Sequence, residues 1–240
     1  MAAQLDAGRT AATEAARLGA FRETARRVAH ELKNPLTPIR FAVSRLRKSA
    51  APELQDTIDV LEIETQRLDT LAKSFAQFGR LPDGPVADID IGELLRYATR
   101  STLSPTTTVS LDVPDGLPFV SGHHDPLARA VSNILLNAAD AAGPSGTISV
   151  AARAVEVPVP SVLITVHDTG PGIATETLCR IWEPYVTTKP GGTGLGLAIV
   201  RQTILAHGGS VDATSEPGRG TTVSITLPRR GMTTLSGLSA

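Results

Sequence analysis

A histidine, a carboxylate and an amide lie close together near residue 30. Glu31 follows His30 directly, and Asn34 stands one helical turn further on, on the side of the histidine. A neutral imidazole is a good nucleophile, and a neighbouring carboxylate can accept the proton of its other ring nitrogen in a hydrogen bond and strengthen it. Asn34 could orient a water molecule there. The spacing alone leaves open an ordinary exposed histidine beside a solvated charge.

Two asparagines, Asn133 and Asn137, are four residues apart and so stack on one face of a predicted helix. Asparagine has poor propensity for helix interiors, so two of them need a reason. Their amide oxygens could coordinate a hard divalent cation such as Mg²⁺, with phosphate oxygens and water completing the octahedron. An internal hydrogen-bond network is the alternative that the spacing leaves open.

Two glycine-containing segments could hold a nucleotide. Asp168 ends an apolar predicted strand, and Gly170 and Gly172 let a flat ligand approach the backbone, so the carboxylate could accept a hydrogen bond from an amine such as that of adenine. The GGTGLGLAIV segment starts a helix whose free N–H groups suit a polyphosphate. It matches neither the Walker A nor the dinucleotide pattern. The alternatives that stay open are simple turn chemistry for the first segment and a flexible loop with a glycine-rich N-cap for the second.

The first eighty residues predict a helical hairpin that would carry His30. Apolar residues recur at helical spacing from Arg9 to Lys48 and again from Leu54 to Phe78, on either side of a turn at Pro52. Pro35 and Pro38 predict a bend in the first helix. Two helices cannot cover both stripes, so we expect a homodimeric four-helix bundle; a monomer whose second region covers the seam is the alternative.

The chain beyond the hairpin predicts an α+β domain with mostly antiparallel strands and helices on one face. The predicted division is a hairpin over 1–78, a linker over 79–85, a domain over 86–228 and a frayed tail over 229–240. Residues 169–194 are rich in Gly, Pro and Thr and predict a mobile functional loop. His207 stands at a predicted helix end beside Gly208, where a positive charge would favour the helix dipole.

Composition excludes several classes of protein. Among the 240 residues, 23 Lys and Arg stand against 24 Asp and Glu, and this balance argues against binding to nucleic acid through phosphates. No apolar run approaches the roughly 20 residues of a membrane span, so we expect no membrane contact by this chain. A single cysteine, Cys179, cannot form an internal disulfide, so a cytoplasmic location is expected.

Taken in order, these segments resemble the sensor histidine kinases of two-component systems. The segments that resemble the family's boxes are His30–Pro35 (H box), Asn133–Asn137 (N box), Asp168–Ile173 (G1), Glu183–Lys189 (F), Gly192–Leu197 (G2) and the closing Gly218–Thr221. Each motif alone is weak, but their fixed order over about residues 10–228 is specific. The FRETARRVAHELK and NPLTPI segments look most like the nitrogen-regulation, NtrY-like branch.

The resemblance implies a dimerisation and histidine-phosphotransfer hairpin, followed by an α/β-sandwich ATP-binding domain of the Bergerat type. In such a protein His30 attacks the γ-phosphate of ATP through Nε2 while Glu31 holds Nδ1–H as the base. The phosphoryl group then passes to an aspartate of a response regulator receiver domain. Glu31 and Asn34 also match the E-x-x-N pattern, which implies phosphatase action on the phosphorylated regulator.

The resemblance also implies where ATP and Mg²⁺ bind. Asn137 would bind Mg²⁺ with Asn133 assisting, and Asp168 would receive the adenine amine with Thr221 nearby. The other nucleotide-binding residues would be Gly170, Gly172, Lys189, Gly192, Thr193, Gly194, Leu195, Gly196 and Leu197, and residues 174–193 would form the ATP lid. The chain departs from the family pattern at Tyr185, where phenylalanine is usual, and at Asp140, where many relatives have a basic residue.

Two other functions compete with the kinase interpretation, an ATP-hydrolysing enzyme and a non-catalytic adaptor. ATP-hydrolysing relatives carry a glutamate four residues before the metal-binding asparagine, where this chain has Asn133. A non-catalytic dimeric adaptor would bind partners on the hairpin without ATP. For the kinase, we expect the regulator to dock below His30, around Ile39, Val43 and Leu46.

Overall fold

The computed structural model describes residues 2–78, 85–156, 159–189 and 192–229, with the backbone alone for 2–23, 26, 77 and 78. The predicted linker and tail lie outside these residues, except for Pro85 and Arg229. Arg229 itself is tied down, because its N–H donates to the Pro160 carbonyl at 3.0 Å. Two compact units result. One is the hairpin with the segment Thr187–Leu195, and the other comprises Pro82–Val186 and Gly196–Ala240.

The hairpin consists of helix α1 (Ala2–Ser49), a 3₁₀ turn (Pro52–Leu54) and helix α2 (Gln55–Phe78). Pro52 is the first residue of the turn. Proline lacks a backbone N–H, but an N–H at this position would have no acceptor within the helix, so nothing is lost. Helix α1 continues through Pro35 and Pro38 rather than ending there. Because neither proline has an N–H, the carbonyls of Glu31 and Asn34 lose their usual helical donor.

A heptad-spaced seam joins the two helices. Its buried members are Ala29, Leu36 and Val43 on α1 and Ile58, Thr65 and Ala72 on α2. A spacing of seven keeps side chains on one side of a helix, so each trio faces the opposite helix. The buried Thr65 hydroxyl is satisfied locally, since it donates to the carbonyls of Leu61 at 2.8 Å and Glu62 at 3.0 Å.

Ion pairs accompany the seam. They join Arg47 to Asp59 and Glu62, and Asp69 to Arg40 and Lys73. Lys73, at 2.7 Å, lowers the pKa of Asp69 against the opposing effect of burial, and Arg40 and Lys33 add to the lowering. The more exposed pairs, those of Arg47, each contribute about 1 kcal/mol or less, so the apolar seam is the larger source of hairpin stability.

A second apolar stripe stays exposed on the hairpin. Its members are Ile39 and Leu46 on α1 and Leu54, Leu61 and Leu68 on α2, each between 40% and 52% exposed. These residues again repeat every seven positions, so each helix presents two apolar edges and the hairpin covers only one. The expectation that a second copy covers the other edge rests on this stripe.

Substituting Leu61, in the exposed stripe, by glutamate is expected to convert a dimer into a monomer. Burying one leucine contributes about 1.5–3 kcal/mol, and a two-fold interface loses that contact twice. Val60→Glu is the matched control, because Val60 immediately precedes Leu61, is 59% exposed and lies outside the heptad repeat. Sedimentation equilibrium measures the outcome. A Leu61→Glu chain that dimerises as well as the Val60→Glu chain would contradict the expectation.

The second unit is a sheet covered by helices. Its strands are β1 (Ala87–Ile89), β2 (Thr108–Asp112), β3 (Val120–Gly122), β4 (Thr147–Val155), β5 (Ser161–Asp168), β6 (Ser210–Glu216) and β7 (Gly220–Pro228). Its helices are α3 (Ile91–Thr102), α4 (His124–Ala142), α5 (Thr175–Leu178) and α6 (Gly196–Ala206). The predicted fold class, a helical hairpin followed by an α/β sandwich, is confirmed.

The strand order in the main sheet is β2-β4-β5-β7-β6, and β1 pairs with β3 in a small separate sheet. All pairs are antiparallel except β2 with β4, which is parallel. Strand β3 has only three residues, too few for an alternating pattern, so the sequence did not predict it. In register, Asp168 at the end of β5 stands beside Thr221 on β7.

One hydrophobic core joins the sheet to its helices. Residues at alternate positions of β4 and β5, such as Ile148, Val150, Val162 and Ile164, pack with the apolar faces of α3, α4 and α6. The helix ends follow local chemistry. The Asp90 carboxylate caps α3 by accepting from the Glu93 N–H at 2.9 Å, and α4 ends at Gly143 with φ +66°. Within the described ranges, no helix is long and apolar enough to cross a membrane.

Candidate functional site

The predicted nucleophile, His30, is exposed on α1 together with Glu31 and Asn34. Its neighbour Ala29 is buried in the seam, so the histidine stands directly beside that packed edge and points away from it. Near His30, the Glu31 and Asn34 carbonyls have no helical N–H donor, because the residues four positions later are Pro35 and Pro38. An exposed imidazole on a packed helix is open to attack a substrate.

The helix face of His30 continues toward the turn. Asn34, Thr37, Phe41 and Ser44 follow at steps of three or four, and Phe41 is 66% exposed. With a rise of 1.5 Å per residue, Phe41 lies about 16 Å along the axis from His30. Of the three residues expected to dock a regulator, Ile39 and Leu46 are exposed, but Val43 is only 5% exposed. The expectation for Val43 is wrong, because it belongs to the intrachain seam.

Asp168 is held at the end of β5, where it is only 6% exposed. Its carboxylate accepts a hydrogen bond from the Gly170 N–H at 2.9 Å, which fixes the start of the following loop. Thr221 lies beside it in register and is buried as well. The predicted Asp168, Gly170 and Thr221 therefore meet at one edge of the sheet.

Glycines make this edge possible by letting backbones approach closely. A Cβ on Gly220 would lie 1.8 Å from the Asp168 carbonyl oxygen, and one on Gly170 would lie 2.7 Å from the Ala141 carbonyl oxygen. A Cβ on Gly172, whose φ is +73°, would lie 2.2 Å from the Glu216 carbonyl oxygen. No larger residue fits, so the loop after Asp168 is wedged between α4 and the β6–β7 hairpin.

Ser215 is a residue of this edge that the sequence analysis missed. Its hydroxyl accepts from the Ile173 N–H at 2.8 Å, donates to the Gly220 carbonyl at 2.8 Å and lies 2.9 Å from the Thr221 hydroxyl. It thus connects the loop after Asp168 to the last two strands. A serine near the end of a polar strand gives no signal in the sequence, because its partners come from two other segments, the loop after Asp168 and β7.

Asn133 and Asn137 are half-buried on one face of α4. The first residue of α6, Gly196, lies against Asn137, since a Cβ there would be 4.0 Å from Asn137 Nδ2. The N–H groups at the start of α6 and the Asn137 amide therefore border the same space, which suits a phosphate.

The residues present fit Mg²⁺ only in the company of an anionic ligand. Amide oxygens are suitable magnesium ligands, but two neutral amides do not compensate a divalent charge. Across the part of the chain that the structure describes, no group of three or more His, Cys, Asp or Glu side chains could hold a metal ion. Phosphate oxygens would supply the missing negative charge.

The remaining predicted residues lie in the segment Thr187–Leu195, which groups with the hairpin. There the Lys189 N–H donates to the Thr187 hydroxyl at 3.1 Å, and the Leu195 N–H donates to the Thr193 hydroxyl at 3.3 Å. Gly194 has φ +65°, a conformation that favours glycine. The nucleotide contacts expected of Lys189, Gly192, Thr193, Gly194 and Leu195 stay predictions.

Tyr185, the departure from the family pattern, has a strained backbone. Its φ of +68° is the only left-handed value at a non-glycine residue in the described ranges. The side chain is 52% exposed, and partial burial raises the pKa of its phenol. Such strain costs about 1–3 kcal/mol and is commonest at functional segments. Asp140, the second departure, is exposed on α4.

Family comparisons agree with both units. Residues 22–84 match the His Kinase A (phospho-acceptor) domain, and residues 122–231 match the histidine kinase-, DNA gyrase B- and HSP90-like ATPases. These two matches confirm the resemblance to the sensor histidine kinases. The first match contains His30, and the second contains Asn133, Asn137, Asp168 and Thr221.

Similar proteins support the predicted branch. The nitrogen regulation protein NtrY of Azorhizobium caulinodans is 36% identical over 90% of this chain and 30% of its own length. The sensor histidine kinase ZraS of Escherichia coli is 32% identical over 84% of this chain and 44% of its own length. The sensory histidine kinase/phosphatase NtrB of Rhodobacter capsulatus is 32% identical over 84% and 60%. The chain thus spans less than two thirds of each of these relatives.

Solved structures show the same architecture. Full-length ShkA in complex with AMPPNP superposes with a TM-score of 0.72 at 27% identity, over 86% of this chain and 46% of that one. The mycobacterial sensor histidine kinase MprB superposes with a TM-score of 0.53 at 28% identity, over 61% of this chain and 99% of that one.

Asp168→Asn is expected to weaken binding of an ATP analogue by about tenfold or more, because the amide presents a donor toward the adenine amine. Asp212→Asn is the matched control, since the Asp212 carboxylate also accepts one backbone hydrogen bond, from Ala213 N at 2.8 Å, but on an exposed part of β6. Fluorescence titration measures both affinities. Equal affinities for the two variants, with both proteins folded, would contradict the role of Asp168.

Proposed function

We propose that this chain is the catalytic core of a histidine kinase that phosphorylates its own His30 from ATP. The observation that carries the proposal is the exposure of His30, Glu31 and Asn34 together on a packed helix. The same chain contains a second unit whose buried Asp168 and glycine-bordered edge suit adenine. One imidazole and one nucleotide site are the two parts that such a transfer requires.

In the proposed reaction, the lone pair of His30 Nε2 attacks the γ-phosphorus of ATP. The bond from that phosphorus to the bridging oxygen breaks, and ADP leaves with the electron pair. Attack leaves a positive charge on the ring, and Glu31 accepts the Nδ1 proton as the charge develops. An aspartate carboxylate of a receiver domain then attacks the phosphorus, the N–P bond breaks, and the imidazole recovers its proton.

Within the second unit, different residues bind different parts of the nucleotide. Asp168 accepts a hydrogen bond from the adenine amine, with Thr221 beside it, and Gly170 and Gly172 leave room for the flat base. The N–H groups at Gly196 and Leu197, at the start of α6, meet the phosphates. Mg²⁺ would be held by Asn137, with Asn133 assisting, and would offset the phosphate charge.

Further nucleotide contacts are proposed for Lys189 and the glycine-rich residues that follow it. Lys189 supplies a positive charge for the phosphates, and the glycine-rich backbone around Gly192, Thr193, Gly194 and Leu195 supplies donors. This assignment rests on the match of these residues to the family's F and G2 boxes. The lid is proposed to span residues 174–193.

The partner proposed for the phosphorylated chain is a response regulator receiver domain, and the chain itself acts as a homodimer through the exposed heptad stripe. Asn34 lies one turn from His30, and we propose that it orients a water molecule for a second activity, hydrolysis of the regulator's aspartyl phosphate. The relative NtrB is described as a kinase and phosphatase, which supports this second activity. The need for ATP and the single cysteine favour the cytoplasm.

His30→Ala is expected to abolish incorporation of phosphate from γ-labelled ATP, because no other side chain replaces the nucleophile. The label on the wild-type chain should be lost in acid and kept in alkali, as a phosphorus–nitrogen bond requires. His124→Ala is the matched control, since His124 is also exposed but lies at the start of α4.

The same assay separates the rival functions. An ATP-hydrolysing enzyme would release labelled phosphate without labelling the protein, and a dimeric adaptor would neither bind ATP nor release phosphate. A labelled His30→Ala chain would place the phosphoryl group elsewhere and contradict the proposal.

Phe41 is the residue on which we propose the receiver domain docks. It shares the His30 face, and Ser44, the next residue on that face, lines a groove of about 520 Å³ on the hairpin. An exposed aromatic side chain beside a groove is typical of an interface anchor. The groove is also lined by Arg40 and Glu62, so charges border the apolar contact.

Phe41→Asp is expected to slow phosphotransfer to the cognate receiver domain by about tenfold or more while leaving His30 labelling intact, since loss of an aromatic anchor costs about 2 kcal/mol. Tyr97→Asp is the matched control, because Tyr97 is an aromatic residue of similar exposure, 62%, on α3. Rapid-quench measurement of both steps gives the rates. Equal transfer rates for the two variants would contradict docking at Phe41.

A further inference from the structure

The contacts of the His207 side chain could not be predicted from its position at the end of a helix. His207 is the last residue before the glycine that terminates α6. Gly208 adopts φ +69°, its N–H donates to Leu205 O at 3.0 Å, and the Gly209 N–H donates to Ile204 O at 3.0 Å. This is the hydrogen-bond pattern of a Schellman motif, and it orients the residue before the glycine. The motif therefore fixes the backbone at His207, from which its side chain extends.

Both ring nitrogens of His207 are engaged, and each in a different role. Nδ1 donates to the Thr203 carbonyl at 2.7 Å, and Nε2 accepts from the backbone N–H of His123 at 2.9 Å. A ring that donates through one nitrogen and accepts through the other is the neutral imidazole with its proton on Nδ1. Protonation of Nε2 would set one N–H against another.

The chain makes room for this ring at the start of α4. A Cβ on Gly122 would lie 2.4 Å from His207 Cδ2, so only glycine allows the imidazole to reach the His123 backbone. The His123 ring packs edge-to-face against that of His207, with centroids 5.6 Å apart. His123 Nδ1 is buried and, among the described residues, has no hydrogen-bond partner.

This contact and the nucleotide-binding residues lie at opposite ends of the same two helices. At one end of the pair, His207 holds the residue that precedes α4. At the other end, Gly196 lies against Asn137. Two helices that are in contact at both ends cannot slide past each other. The contact between His207 and His123 therefore constrains the contact between Gly196 and Asn137.

We propose that His207 is a positioning residue for the nucleotide site. Its neutral ring holds the start of α4 against the end of α6, and this sets where α4 presents Asn137 to the first turn of α6. The inference rests on the proposed nucleotide site in this unit. It corrects the sequence-based view of His207 as a helix-terminal cation, because the ring must stay uncharged to accept from His123.

The surroundings of His207 agree with a neutral ring. Burial lowers the pKa of His207 below its ordinary 6.5, the hydrogen bond to the Thr203 carbonyl opposes this lowering, and the nearby His123 ring adds to it. Gly122 from β3 and the Thr203 carbonyl from α6 bring no charge. His124 and Asp125, next along α4, pair with each other at 3.3 Å and are exposed.

The sign of the pH effect follows from this direction. Above about pH 6.5 the ring is neutral in both the folded and unfolded chain, so the contact contributes fully. As the pH falls below that value, the unfolded chain takes up a proton first, and the contribution is lost as the pH passes through the lower folded-state pKa. The positioning of α4 should therefore weaken on acidification.

Three variants of the full chain test the proposal with a fluorescent ATP analogue and Mg²⁺. His207→Leu removes the acceptor, His207→Gln keeps an uncharged acceptor oxygen on a side chain of similar reach, and His124→Gln is the control for an exposed histidine. Affinities are measured at about pH 8 and about pH 5.5, on either side of the histidine range, with circular dichroism confirming that each protein is folded.

At about pH 8, His207→Leu should bind the analogue about tenfold more weakly than the wild type, while His207→Gln should bind within about twofold of it. On acidification the wild type and His124→Gln should lose affinity together, and His207→Gln should lose less. Rescue by glutamine with a flatter pH profile is a result that a purely packing role would not produce.

Other results overturn the inference in distinguishable ways. If folded His207→Leu binds as tightly as the wild type, or if His207→Gln keeps the full pH dependence, His207 does not position the site. If His207→Leu fails to fold, the pH dependence of affinity in His207→Gln, compared with that of the wild type, still tests the proposal. If the wild type binds no nucleotide at either pH, the proposed function itself fails, and the inference fails with it.

Discussion

The position of α4 is the constraint on which the second unit depends. One side of this helix contributes buried residues such as Leu127, Ile134 and Leu135 to the core, so its rotation about its own axis is set by packing. With that side fixed, Asn133 and Asn137 must lie together on another side. Near its end, the Ala141 carbonyl touches the loop after Asp168 so closely that only Gly170 fits. Core packing and the candidate site are therefore parts of one arrangement.

The hairpin uses the same physical rule in a different way. Heptad spacing gives each helix two apolar edges, and a single hairpin can bury only one of them. Ala29, Leu36 and Val43 lie on the buried edge, while Ile39 and Leu46 lie on the exposed one. His30 stands beside the buried edge and yet is exposed, because the next residue of a helix is turned by about 100°. A stable helix can thus present a reactive side chain without exposing its seam.

Two residues depart from what their types suggest. His207 lies at a helix C-terminus, where the helix dipole favours a positive charge. Its ring is nevertheless neutral, because it donates one hydrogen bond to the backbone and accepts another from it. Tyr185 carries a left-handed backbone that its side chain disfavours, so the surrounding structure must hold it there. In both cases local preference is overruled by contacts made elsewhere in the fold.

Much of this protein could be predicted from the sequence. The helices and most strands follow from periodicity, which is local and written in the chain, and the resemblance to the family rests on its motifs and their order. Three-dimensional packing decided the rest. It assigned Val43 to the buried edge and Ile39 to the exposed one, although both fit the same helical pattern, because only the crossing of α1 and α2 distinguishes them. It also brought Ser215 to Ile173 and His207 to His123, since contacts between distant segments leave no periodic trace in either segment.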